Sequence, residues 1–131
     1  MKEDIADILI REAQRSMRRA IAPYSGFKVG AALLTKKGKI YGGCNIENPS
    51  LMLSICAEKV TLVKALSEGE KSFKALAIVT GDGEYSTPCG SCRQLITELA
   101  GNIDIYLASK KGIKKYSAND LLPHAFSKNF A

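Results

Sequence analysis

The amino-acid sequence predicts an α/β fold in which a five-stranded mixed sheet packs between helices. Three observations carry this expectation. Segments with the apolar period of a helix and segments with strand character follow one another in the order α-β-β-α-β-α-β-β. The first two strands are separated by a short glycine-containing turn, as in an antiparallel hairpin, whereas later strands are separated by whole helices, as parallel crossovers require. The run Ala75-Leu76-Ala77-Ile78-Val79 is apolar without interruption and suits a central strand covered on both faces. At 131 residues the chain has the length of one ordinary domain, and a single domain over 1–131 is expected.

Taken in order, Ile5, Ile8, Leu9, Ala13, Met17 and Ile21 recur at three- and four-residue steps, so an amphipathic helix is expected over Glu3–Ile21. Pro23 ends it. Phe27–Thr35 reads as a strand, Lys36-Lys37-Gly38-Lys39 as a turn and Ile40–Ile46 as the returning strand. Within that strand Gly42-Gly43 predicts a bulge or a close backbone approach. Asn48-Pro49-Ser50 breaks the chain before a helix over Cys56–Ser67, apolar nearly all round and closed by Gly69. Lys74–Thr80 is the central strand, Gly81–Thr87 a polar loop, and Cys89–Leu99 the third long helix. Ile103–Ser109 alternates as a fourth strand, and Ile113–Tyr116 is a fifth, at an edge guarded by lysines. A short helix over Asn119–Leu122 precedes Pro123 and Ala125-Phe126. In such sheets ligands collect at the carboxyl ends of strands.

Composition narrows the class. No apolar run approaches the roughly 18 residues needed to span a bilayer, and Met1-Lys2-Glu3-Asp4 leads into a charged segment rather than a secretory one, so neither signal peptide nor membrane partner is expected and the cytoplasm is the expected compartment. There the four cysteines serve as metal ligands or core residues rather than disulfides. The net charge is +6. Its basic clusters, such as Arg18-Arg19 and Lys114-Lys115, fall at helix ends and turns and lack interleaved aromatics, which argues against nucleic acid as a partner.

The chemistry lies at two predicted helix starts, Cys56-Ala57-Glu58 and Pro88-Cys89-Gly90-Ser91-Cys92. Cys89 and Cys92 sit on one helical turn at a spacing that captures one metal, and a helix N-terminus favours the thiolate. Zinc held by three protein ligands keeps its fourth position open, whereas Cys44 as a fourth ligand would close a structural site; a buried strand cysteine is the other reading of Cys44. Glu58 is placed to move protons beside an open metal position, or simply to meet the helix dipole.

These residues belong to a longer pattern. Pro23-Tyr24-Ser25-Gly26-Phe27-Lys28-Val29-Gly30-Ala31-Ala32, Gly43-Cys44-Asn45-Ile46-Glu47-Asn48, Cys56-Ala57-Glu58, Pro88-Cys89-Gly90-Ser91-Cys92-Arg93-Gln94 and Leu121-Leu122-Pro123, in this order, resemble the small homotetrameric cytidine deaminases with a three-cysteine zinc site. The resemblance implies a three-layer α-β-α sandwich and one Zn²⁺ per subunit on Cys56, Cys89 and Cys92, with Glu58 as the proton shuttle. It also implies that Asn45 and Glu47 hold the ribose hydroxyls, that Phe27 packs on the pyrimidine, that Ala57 belongs to the substrate site, and that Phe126 reaches a neighbouring subunit's site. The implied reaction is hydrolytic deamination of cytidine or deoxycytidine to the uracil nucleoside and ammonia, in pyrimidine salvage, by a homotetramer with shared sites.

Three positions depart from the pattern. Lys59 stands where the family usually has arginine, so Lys59 and Arg93 are the cations left to balance three thiolates, and a lysine cannot fork across two sulfurs. Leu51-Met52 replaces a usual Tyr-Gly, and His124 a usual glycine, the latter read as a surface or interface residue. The first two departures motivate an alternative, a related aminohydrolase of a modified cytosine nucleoside. The charge motivates another, a zinc-stabilised nucleic-acid-binding or editing protein.

Overall fold

The computed structural model describes residues 4–126, so Glu3 of the first expected helix lies outside the described residues. Helix α1 (Ile5–Met17) is followed by the hairpin of β1 (Val29–Thr35) and β2 (Ile40–Cys44). A 3₁₀ turn at Leu51–Leu53 leads to α2 (Ala57–Ser67), β3 (Phe73–Thr80), α3 (Gly90–Leu99), β4 (Asp104–Ser109), β5 (Gly112–Ser117) and α4 (Ala118–Leu121). The strands form one sheet in the order β2-β1-β3-β4-β5. Among the paired strands of the described residues, β3 and β4 run parallel, joined through α3, and the β1–β2, β1–β3 and β4–β5 pairs are antiparallel. The mixed sheet and the central place of β3 are as the sequence predicts.

Alternation along β1 and β3 divides the core in two. Ala32, Leu34, Ala75, Ala77 and Val79 pack with Leu9, Ile10 and Ala13 of α1. On the other face Ala31, Leu33, Leu76 and Ile78 pack with Leu62 and Ala65 of α2, Ile96 of α3 and Ala118 of α4. The result is three layers, with α1 alone on one side. Glycines in β2 let the layers close: a Cβ on Gly42 would overlap Ser16 Oγ of α1, and one on Gly43 would overlap Thr61 Oγ1 of α2. Of the two readings of Gly42-Gly43, close approach is the one found. The β1–β2 register is unbroken, and the register shift lies instead between Leu34 and Thr35 where β1 pairs with β3.

Two expectations need correction. Helix α1 stops at Met17, and Ile21 lies in a parallel bridge to Ile46. The Ile21 N–H donates to Asn45 O at 3.0 Å and its carbonyl accepts from Glu47 N–H at 2.8 Å. These cross-chain bonds replace the helical ones that the apolar period would otherwise favour. Secondly, α2 is not buried all round: Ala57, Glu58, Thr61, Leu62 and Ala65 face the core, but Val63 is 42% exposed. A helix resting on one sheet face buries only that side within its own chain.

Candidate active site

Two helix starts meet at one end of the sheet. Cys56 is the N-cap of α2 and Cys89 the N-cap of α3, one residue before each helix proper, and neither side chain hydrogen-bonds the turn that it caps. Cys92 follows within the first turn of α3 and is buried. The three sulfurs lie within 4.8 Å of one another. Tetrahedral zinc with Zn–S bonds of about 2.3 Å sets its sulfurs roughly 3.8 Å apart, so the cluster fits one such ion after small side-chain adjustments. Neither Cys44 nor His124 belongs to it; among the described residues the ligand set is three.

The electrostatics suit metal capture. Hydrogen bonding from Cys92, opposed by burial and aided by Cys89 and the Lys59 charge, brings the Cys56 thiol down to about 6. The same bond to Cys56, with burial and the Glu58 charge, pushes Cys92 up. Lys59 itself is exposed.

Glu58 points inward from the first turn of α2 and is only 6% exposed. Burial, with a smaller push from the Cys56 charge, raises its carboxyl to about 7 against a hydrogen bond from its own backbone. A carboxyl poised near neutrality can both accept and return a proton. It shares with Cys56, Ala57 and Cys89 the wall of an open pocket of about 280 Å³.

The opposite wall is built by segment 45–47. Ile46 bridges Ile21 on one side and Ile55 on the other, with Ile46–Ile55 bonds of 2.9 and 2.8 Å, so the ribbon carrying Asn45 and Glu47 is fixed from both edges. Asn45 Oδ1 accepts from Val29 N–H and its Nδ2 donates to Phe27 O, both at 2.9 Å. The Glu47 carboxylate accepts from the N–H groups of Tyr24 and Ser25 at 2.9 and 3.1 Å and from the Ser25 hydroxyl. These donors, the hydroxyl foremost, hold its pKa below the usual value. Phe27, Asn45 and Glu47 all line the pocket.

The remaining predicted residues lie outside the pocket lining. Arg93 donates through Nε to Pro88 O (2.7 Å), through Nη1 to Leu121 O (2.7 Å) and through Nη2 to Thr87 Oγ1 (2.8 Å). It therefore ties the approach to Cys89 to the C-terminal segment. Gln94 Nε2 donates to Phe126 O at 3.0 Å, and the Phe126 ring, 66% exposed, lines no part of its own chain's pocket. Leu51 and Met52 stand 70% and 97% exposed on the 3₁₀ turn. His124 is exposed with φ +55°. Sequence reasoning missed Ser25, Val29, Ile78, Ser86 and Thr87 as pocket residues. Ser86 and Thr87 were signalled only by preceding Pro88-Cys89, and Ile78 looked like plain core.

Comparison with known proteins agrees with this geometry. A sequence model of the cytidine and deoxycytidylate deaminase zinc-binding region matches residues 4–108. A cytidine deaminase of Sporosarcina psychrophila is 48% identical over 122 residues, spanning 92% of this chain and 90% of that protein. One of Halalkalibacterium halodurans is 43% identical over 122 residues, spanning 92% of each. Among solved structures, a cytidine deaminase from Burkholderia pseudomallei superimposes with a TM-score of 0.88 at 42% identity, covering 96% of this chain and all of that one. A cytidine deaminase from Mycobacterium tuberculosis superimposes with a TM-score of 0.84 at 36% identity, with coverage of 96% and 100%.

Proposed function

The chain belongs to the cytidine deaminase family, and on that premise we propose that it hydrolyses cytidine and deoxycytidine to uridine and deoxyuridine with release of ammonia, in cytoplasmic pyrimidine salvage. The observation that carries the reading is a buried carboxyl, Glu58, held near pKa 7 in the same pocket as a three-cysteine cluster. Zinc held by Cys56, Cys89 and Cys92 supplies, when bound, the Lewis acidity that makes water a nucleophile near neutral pH. Glu58 takes one proton from the attacking water and gives it to ring N3, then takes the remaining hydroxyl proton and gives it to the departing amino group, so one water is consumed and one ammonia leaves. Phe27 packs against the pyrimidine and Ala57 closes the pocket beneath it. Asn45 and Glu47 take the ribose hydroxyls: each has used only part of its hydrogen-bonding capacity on the loop, and Glu47 keeps an acceptor site free among roughly four. Lys59 and Arg93 offset part of the negative charge of three thiolates.

The active form is a homotetramer with shared sites and one zinc per subunit. In support, Leu51 and Met52 are apolar and exposed, and Phe126 lines no part of its own chain's pocket. Among the described residues no helix is long and apolar enough to cross a membrane. The test is loss of ultraviolet absorbance by zinc-loaded protein with cytidine, deoxycytidine and ring-modified cytosine nucleosides compared side by side. Turnover of the first two supports the proposal; turnover of a modified nucleoside alone moves the assignment to a related aminohydrolase.

A further inference from the structure

One hydroxyl in the loop that carries Phe27 links that residue to Glu47. Ser25 Oγ donates its single proton to the Glu47 carboxylate and accepts the Phe27 N–H at 2.9 Å. Gly26 between them has φ +69°, the left-handed conformation that lets the chain turn back for this contact. The Phe27 carbonyl is taken by Asn45 Nδ2, so the peptide groups flanking the ring are fixed on one side by Ser25 and on the other by Asn45. Ser25 is thus the joint between a carboxylate and an aromatic ring that line the same pocket, and it lines that pocket too.

We propose that Ser25 is a positioning residue for the nucleoside, aiming the free lone pair of Glu47 at a ribose hydroxyl while setting the Phe27 ring against the base. The inference rests on the deaminase reading. A hydroxyl that only aims binding groups acts on substrate and transition state alike, so its loss raises KM and leaves kcat in place. Because the principal contact runs through Glu47, the loss is larger for ligands that carry ribose hydroxyls than for those that lack them.

The experiment is steady-state kinetics of the zinc-loaded wild type, Ser25→Ala and Ser25→Thr with cytidine, with uridine and 2′,3′-dideoxyuridine as competitive inhibitors. For an exposed hydrogen bond to a charged group, Ser25→Ala is expected to raise the cytidine KM about 5- to 20-fold, with kcat within about twofold. The inhibition constant of uridine rises in step, and that of dideoxyuridine rises at least about threefold less. Ser25→Thr, which keeps the hydroxyl, restores KM to within about twofold, and that rescue separates positioning from a general loosening of the fold. An unchanged KM in Ser25→Ala, a fall in kcat as large as the rise in KM, or equal weakening of both inhibitors overturns the inference while leaving the deaminase reading intact. Absence of cytidine turnover by the wild type overturns the deaminase reading and this inference with it.

Discussion

At the scale of single residues, the proposed chemistry concentrates on Glu58. Replacing it with alanine is expected to leave zinc content and fold unchanged while reducing kcat by more than the roughly 10²–10⁴-fold usual for one general acid–base group, because the same carboxyl serves successive proton transfers. Metal analysis and circular dichroism beside the rate measurement check this; near-normal kcat would remove Glu58 from the reaction. The raised carboxyl also makes a stability prediction for the metal-free protein. Its folded value of about 7 lies above the ordinary 4.5, so the native state binds the proton more tightly than the unfolded chain does. Below pH 4.5 both states hold it and nothing is lost; stability then falls as pH rises through 7. Metal-free Glu58→Gln escapes this cost, and is expected to match wild type near pH 4 and exceed it at pH 8 by on the order of 3 kcal/mol in urea unfolding. The Cys89-x-x-Cys92 pair and the nearness of Cys56 to Glu58 were legible as local spacing, whereas the meeting of the two helix starts was implied by the family resemblance and is visible only in the fold. Ser25 was visible only as one residue of a motif, since its role depends on Glu47, 22 residues away along the chain.

At the scale of elements, most boundaries could be read from apolar period and punctuation, and the exceptions have separate causes. Ile21 continues the period of α1 but is captured by Asn45 and Glu47. The 3₁₀ turn at Leu51–Leu53 has no apolar face turned to the core, so no period announced it. At Ile21 contacts made elsewhere in the chain outweigh local preference. Gly42-Gly43 shows the reverse: the sequence offered a bulge or a close approach, and only the fold says that α1 closes on β2 at Gly42 and α2 at Gly43. His124 sits in the segment after α4 with φ +55°, where a side chain meets its own carbonyl and glycine does not. Its place in the family pattern is usually glycine, and the backbone supplies the reason. His124→Gly is expected to raise stability by about 0.5–1 kcal/mol, the relief of left-handed strain less the added freedom of the unfolded chain. A lower midpoint in denaturant unfolding would show that the imidazole makes a contact that outweighs the strain.

At the scale of the whole molecule, three layers bring the two cysteine-bearing helix starts to one end of the sheet, and the paired ribbon at 45–47 faces them across the pocket. The same architecture leaves Leu51, Met52 and Phe126 outside the core of the single chain. A tetramer that covers them is expected to elute with the mass of four chains in light scattering. Met52→Glu, which would place an unpaired carboxylate in that contact at a cost of several kcal/mol, is expected to dissociate at concentrations roughly 100-fold higher than wild type does, with a raised cytidine KM. A wild-type monomer with full activity would contradict shared sites. The central claim joins the metal cluster to the reaction, and its most direct measurement is zinc bound per chain together with cytidine turnover as metal is removed and restored. The account predicts one zinc per chain, with uridine formation that falls and returns in proportion to it. Zinc-loaded protein that leaves cytidine unchanged, or full turnover without zinc, would contradict it.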